Sequence, residues 1–482
     1  MIITFIIYLV AVFIIGITAE RFISKSEEGF YLGDRNFGAW VTAISAGATD
    51  SSGWVFIGAA GAAYLAGAST MWMLPGFIVG YFLNWFVFAP KLYDFGVKHN
   101  VLSLADYFEK RYNDQSHLLK VIASIIFVIF FVAYMASQLT AAGKALDVMM
   151  NLDFNTGLIL CAAFVLGYSV FGGYRSVMMT DFVQGLLMVG VLIIFPIYMI
   201  FFELGGWTSF WQQAIAIDPI LTTSTGGAAG SAAIGLVLGY LLFGFGVPGQ
   251  PHISQRFLTA KDPKTLRDGS IIAMAWVIIM MTSSNLLGII GRIIYPELKD
   301  PEYVFPILTM NEMSPIIAGI VIGAVFAAIQ STFSSQLMVA TQAIASDLLK
   351  SISKNTYTDK QLLTISRWTM VFLGVISTGI ALLNLEAVFY LVMYAWGGLA
   401  ASFGPLLYLS LYTNLVTKQG AAAGMITGTL ITIIWKNTPY SAYVYELIPA
   451  AVLATLAILI VSKITKNKNS ELNESERNAK TF

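Results

Sequence analysis

The chain has 482 residues, 57% of them hydrophobic and 11% charged, with a mean hydropathy of +0.75. Its 27 basic and 27 acidic residues balance, so net charge carries no signal for nucleic acid or acidic partners, and no hydrophilic stretch is long enough for a soluble domain. The composition predicts an all-α polytopic membrane protein that works inside its helix bundle, and the one cysteine, Cys161 in an apolar run, excludes an internal disulfide or a cysteine metal cluster.

Thirteen apolar spans are predicted, at about 2–19, 40–65, 70–90, 121–142, 156–174, 181–203, 229–251, 270–291, 315–345, 366–384, 388–411, 418–435 and 446–462. ITAE at 17–20 faintly resembles a processing site, but no basic residue precedes the first span, which therefore reads as an uncleaved helix. The second span carries AISAGATDSSGW over 43–54. Asp50 at its centre is an acid at bilayer depth, costly enough that a working role is the default reading.

Two spans predict mid-membrane breaks. The second holds Gly47, Asp50, Ser51, Ser52 and Gly53, and the seventh holds FGFGVPGQPH over 243–252. Proline removes a donor and clashes with the preceding turn, while glycine tolerates unwinding. The breaks lie five spans apart, at corresponding places in spans 2–6 and 7–11, the pattern of a secondary transporter with inverted repeats. The competing reading is that Gly and Pro merely kink helices for packing. Unwound backbone exposes carbonyl oxygens, which suit a small hard cation. The ninth span adds hydroxyls in AAIQSTFSSQ (327–336), where Ser331, Ser334 and Ser335 share a face and Thr332 points further round. Each hydroxyl alone could instead bond its own preceding turn.

Assigning alternate connectors to opposite sides puts all Lys and Arg on one side except Lys144, Arg292, Lys299 and Lys436. That asymmetry predicts the amino terminus outside and the carboxyl terminus inside. The expectation is one transmembrane domain over 1–466, with repeats at about 40–203 and 229–411 and flanking helices 2–19, 418–435 and 446–462. A cytoplasmic disordered tail then covers 467–482. No Lys or Arg is placed deep in the bundle to pair with a carboxylate.

YLGDRNFG, SAGATDSSGW, LADYFEKRY, FGGYRSVMMTDFVQG, GQPHISQRF, AAIQSTFSSQ and YAWGGLAASFGP run in order from about residue 31 to 408, and GAAAGMITGTLITIIWK and YELIPA follow. Over nearly its whole length the chain resembles the sodium/solute symporter family, most closely its bacterial sodium/proline symporter branch. The resemblance implies about 13 helices with a 5+5 inverted-repeat, leucine-transporter-type core. It implies a main sodium site from the backbone oxygens of Ala48, Ser51 and Ala328 and the hydroxyls of Ser331 and Thr332, with Asp50 and Ser52 needed for sodium-dependent transport. A second sodium site in some relatives matches Asp181, Ser331, Ser334 and Ser335, although Asp181 in TDFVQ also reads as an ordinary helix cap.

For the solute, the resemblance implies a pocket from Ser52, Gly53, Trp54, Tyr134, Phe243, Val247 and Pro248. The branch usually carries Trp and Tyr where this chain has Phe243 and Val247, and an aromatic where it has Pro248. Losing an indole and a phenol donor changes what the pocket can hydrogen-bond. The implied function is Na+-coupled import of proline or a related amino acid by alternating access at the bacterial inner (cytoplasmic) membrane. Its partners are the solute, sodium and the lipid bilayer, with no nucleic acid and no obligate protein partner. Proton coupling through Asp50, and sodium symport of a betaine or small carboxylate, are the rival readings. A channel lacks a filter motif, a solute sensor would add a signalling domain, and an enzyme lacks its motifs: His99, His117 and His252 show no zinc-type pairing.

Overall fold

The computed structural model describes residues 1–479 apart from 20, 22, 23, 25, 354 and 385. Lys25, Lys354 and Lys480, counted above among the inner basic residues, lie outside the described residues, as does the end of the expected tail, 480–482.

Helix follows helix along the chain. α1 (Ile2–Ala19) is apolar on every side. α2 (Glu27–Leu32) is capped by the Ser26 hydroxyl, which accepts from the Gly29 N–H. α3 (Ala39–Phe56) leaves helical geometry at Ser52, at φ 54° and ψ 175°, and α4 (Gly58–Ala66) continues beyond it. α5 (Met73–Phe82) runs through a wide turn over 83–88 into α6 (Ala89–Lys98), and α7 (Leu104–Arg111) is a short connector helix.

α8 (Leu118–Met150) is unbroken, whereas α9 (Phe154–Tyr198) bends at Gly173, φ 58°, at the end of the expected fifth span. After α10 (Trp207–Ile217), the seventh span stops at the end of α11 (Gly230–Gly244). A tight turn over Val247–Gly249 follows, and helix resumes as α12 (Pro251–Leu258). α13 (Pro263–Ile294) and α14 (Val304–Glu312) precede α15 (Pro315–Gln342), which continues through another wide turn into α16 (Leu349–Ile352). α17 (Asp359–Leu382), α18 (Val388–Tyr412), α19 (Lys418–Lys436) and α20 (Leu447–Ala479) complete the bundle.

Both expected breaks are therefore present, at Ser52 and over 245–250. Among the described residues, nine helical stretches are long and apolar enough to cross a membrane, with shorter apolar helices at Phe154–Val170 and Gly230–Gly244. α10 and α14 are helices inside the expected connectors at 203–229 and 291–315. α20 runs through 479, into the stretch expected as a disordered tail. That stretch has no Pro or Gly to stop the helix.

α3 is enclosed by α9, α13 and α15, with α12 against its first half and α4 carrying on along α13. Small residues set some of these approaches. A Cβ at Gly76 or Gly80 of α5 would lie 1.9 Å from the carbonyl oxygen of Leu241 or Gly244 in α11, so α5 and α11 touch backbone to backbone. At the opposite end, Phe37 ahead of α3 pairs with Ala260 after α12. Arg35 holds the carbonyls of Leu258 and Val101 at 3.0 and 2.7 Å. The first halves of α3's span and the second half of the seventh span are thus tied at one face.

Candidate functional site

Four of the expected sodium-site residues come together where α3 crosses α15. The Ser331 hydroxyl lies 3.1 Å from the Ala48 carbonyl and 3.2 Å from that of Ala328. Thr332 donates across the same interface to the Thr49 carbonyl at 2.8 Å. All are buried. A serine has one hydroxyl proton, so Ser331 cannot serve both carbonyls at once, and the group is rich in oxygen lone pairs. That donor set fits Na+, which takes oxygen ligands only. Thr49 is absent from the sequence reading; its position between Ala48 and Asp50 was the available signal.

Ser51 and Asp50 are arranged differently. The Ser51 hydroxyl donates to Gly47 O at 2.7 Å and accepts from Trp276 Nε1 at 2.9 Å. The Asp50 carboxylate receives the Tyr81 hydroxyl of α5 on Oδ2, and its buried Oδ1 has no hydrogen-bond partner among the described residues. Adjacent helix positions are about 100° apart, so the carboxylate faces α5 while the carbonyls before it face α15. The Asp50 side chain, expected to matter for sodium-dependent transport and placed with the main sodium site, stands beside the Ala48, Thr49, Ser331 and Thr332 group and bonds Tyr81. Tyr81 was not identified from sequence, since a tyrosine in an apolar helix carries no motif.

Of the expected solute residues, Ser52, Gly53, Trp54, Tyr134 and Phe243 lie about the Ser52 break. Gly53 N–H donates to Gln138 Oε1 of α8 at 2.8 Å, and Trp54 N–H donates to the Ser52 hydroxyl at 3.0 Å. These side chains satisfy the donors freed by the break. Trp54 packs on Phe243 with ring centroids 5.4 Å apart, on Phe77 at 6.4 Å and on Phe389 at 5.8 Å. Tyr134 lies beside Ser52 and meets the His252 ring edge-to-face at 6.2 Å. Both His252 ring nitrogens, Trp54 Nε1 and Gln250 Oε1 are buried without partners among the described residues. Val247 is fully buried in the turn, close to Gly80. Pro248 instead faces a cleft of about 660 Å³ with Phe245, Ala400, Gly404 and Tyr408. Trp396 returns an indole to this region, but its Nε1–H is spent on the Phe243 carbonyl at 3.0 Å.

The Asp181 cluster differs most from expectation. Asp181 sits within α9, eight residues past the Gly173 bend, and so is not a helix cap. Its Oδ2 accepts from Ser45 and Arg256 at 2.8 Å each and from Ser335 at 3.3 Å. Arg256 also donates to the Ser335 hydroxyl. Both members of the ion pair are completely buried. The expectation that no basic residue lies deep in the bundle is therefore wrong. Arg256 was counted as a connector residue because GQPHISQRF is polar, but the structure makes it the last turn of buried α12. Ser334, expected in the same cluster, bonds the Ser331 carbonyl at 3.2 Å.

With this geometry in hand, likeness to known proteins is informative. The family described as Sodium:solute symporter family matches residues 30–428. The osmoregulated proline transporter OpuE of Bacillus subtilis is 36% identical over 95% of this chain and 94% of its own length. The sodium/proline symporter of Staphylococcus aureus is 33% identical over 95% and 92%. Among solved structures, the fold is shared with a Na+-coupled sialic acid symporter in a substrate-bound outward-open state, at TM-score 0.81 and 21% identity over 96% of this chain and 97% of that one. MhsT in complex with L-phenylalanine is a more distant fold neighbour, at TM-score 0.54 and 13% identity over 87% and 97%. The chain therefore belongs to the sodium:solute symporter family and is a transporter rather than an enzyme.

Proposed function

We propose that the protein imports proline, or an amino acid closely related to it, with sodium running down its gradient, by alternating access. The observation that carries this reading is the meeting of the Ala48 and Thr49 carbonyls with the Ser331 and Thr332 hydroxyls, directly before the Ser52 break. An ion held there links α3 to α15 and stiffens the neighbouring solute residues. Ser52, Gly53, Trp54, Tyr134, Phe243 and Val247 are assigned to the solute; Pro248 contributes by shaping the turn. Asp50 supports the site through its place beside Thr49 and Ser51. Proline is favoured because the curated relatives OpuE and the staphylococcal symporter are named for it.

One sodium per cycle is the favoured stoichiometry. At Asp181 the Arg256 guanidinium already supplies positive charge on Oδ2, and although the buried Oδ1 has no partner among the described residues, a second cation there would stand against that guanidinium. One ion crossing roughly 100 mV contributes about 2.3 kcal/mol, and a tenfold sodium gradient adds about 1.4 kcal/mol. Together they sustain a solute gradient of a few hundredfold.

We further propose thirteen spans, with the amino terminus outside and the carboxyl terminus inside, in the bacterial inner membrane, arranged as inverted repeats over about 40–203 and 229–411. Contacts among connectors support the alternation. Those assigned inside meet one another, as in Arg35 with Val101 and Leu258, Ser103 with Asp347, and Lys418 with Asp114. Those assigned outside do likewise, as in Lys144 with Asp300 and Glu302, and Lys436 with Glu386.

Uptake by purified protein in liposomes tests the function. Accumulation of proline under an inward sodium gradient, but not under a proton gradient alone, is the expected result. Accumulation without added sodium would overturn it, and uptake of a betaine or a small carboxylate in preference to proline would reassign the solute.

A further inference from the structure

A cavity of about 580 Å³, with charged groups on its wall, lies between α11, the start of α18 and the connection from α19 to α20. Its floor is aromatic. Phe389 on that floor stacks on Trp54 at 5.8 Å, and Tyr445 stands edge-on to Phe243 at 5.9 Å. Trp54 and Phe243 border the two helix breaks, so a single aromatic layer separates this cavity from the solute residues.

The cavity's charges are unevenly matched. Lys436 pairs with Glu386 at 2.8 Å and lies 5.7 Å from the centre of the Tyr390 ring. Glu446 also lines the cavity, only 5% exposed, and no salt bridge reaches it among the described residues. An enclosed carboxylate without a cation is costly, and Tyr390, Tyr240 and Phe389 offer ring faces to a positive group nearby. Two carboxylates against one ammonium favour a ligand with an amine and disfavour one carrying several acids.

We infer that this cavity is an antechamber that binds a small zwitterionic amine, its ammonium on Glu446 and its carboxylate on Lys436, before it passes the Trp54–Phe389 layer. The inference rests on the amino-acid import reading and adds a second binding place to it. Solute captured there is concentrated one layer above the breaks. Its release inward requires that Phe389 and Tyr445 part from Trp54 and Phe243.

Kinetics of sodium-driven uptake in liposomes, with L-proline as the probe, test it. Glu446→Gln and Lys436→Gln should each raise KM about tenfold, the order expected for losing one charge-assisted contact. Turnover at saturating proline and half-activation by sodium should stay near wild type, and Glu446→Asp should recover most of the loss. An unchanged KM in Glu446→Gln beside active wild type overturns the antechamber alone. A shift in sodium half-activation instead of KM also overturns it, because the cavity would then hold the cation. Absence of sodium-driven proline uptake by the wild type overturns the import reading itself, and the antechamber for proline with it.

Discussion

Arg256 of α12 and Asp181 of α9 form an ion pair at 2.8 Å with both side chains at 0% exposure. The pair joins the seventh span to the sixth, and Ser45 and Ser335 extend it to the second and ninth. Removing one member strands a buried charge, which typically costs about 3–5 kcal/mol. Arg256→Gln should therefore lower the melting temperature of the detergent-solubilised protein sharply, and Arg256→Gln with Asp181→Asn should recover most of it. A double variant no better than the single one would show that the pair is not the cause.

Because the guanidinium already sits on Asp181, sodium activation of uptake should be non-cooperative, with a Hill coefficient of about 1. A value approaching 2 would restore the Asp181 cluster as an ion site.

Ser331→Ala and Thr332→Ala each delete a hydroxyl that faces a carbonyl of α3 at 3.1 and 2.8 Å. Each should raise the sodium concentration for half-activation about tenfold, and Thr332→Ser should remain near wild type. Asp50→Asn should abolish or greatly weaken sodium-driven uptake while the protein still inserts. Tyr81→Phe should fall in the same direction by a smaller amount, since it removes the hydroxyl that donates to Asp50 Oδ2. Sodium titrations of uptake check all five, and an unchanged curve for Asp50→Asn would contradict the assignment.

Gly80→Ala would place a methyl 1.9 Å from the Gly244 carbonyl. Backbone against backbone cannot yield by rotating a side chain, so α5 and α11 must separate. Reduced thermal stability and reduced uptake are expected together. Gly404→Ala is the control, because a Cβ at Gly404 meets nothing within 4 Å.

Asp114 ties the connector before α8 to Lys418 at 2.6 Å. Burial alone would raise its carboxyl, but Lys418, the Ser116 hydroxyl and the Leu119 and Ser116 N–H groups pull it down to about 2. A carboxyl depressed in the folded state contributes stability above its unfolded pKa of about 3.9, and that stability is lost as pH falls toward 2. Asp114→Asn should thus lower the melting temperature equally at pH 5 and pH 8, with the difference closing only below about pH 4.

Sequence by itself determined the membrane class, the helical character and the places of both breaks, because bilayer insertion depends on apolar length and because Gly and Pro act on their own backbone. AISAGATDSSGW and FGFGVPGQPH are local signals of that kind. It also singled out Ser331 and Thr332, whose facing carbonyls are again a backbone property of the second span. Tertiary structure decided what each side chain meets. Asp50 turns to Tyr81, Arg256 goes inward to Asp181, and Trp54 is roofed by Phe389 from a span more than 300 positions away. Such pairings depend on which helix face packs against which neighbour, and a single chain of residues carries no local mark of that choice.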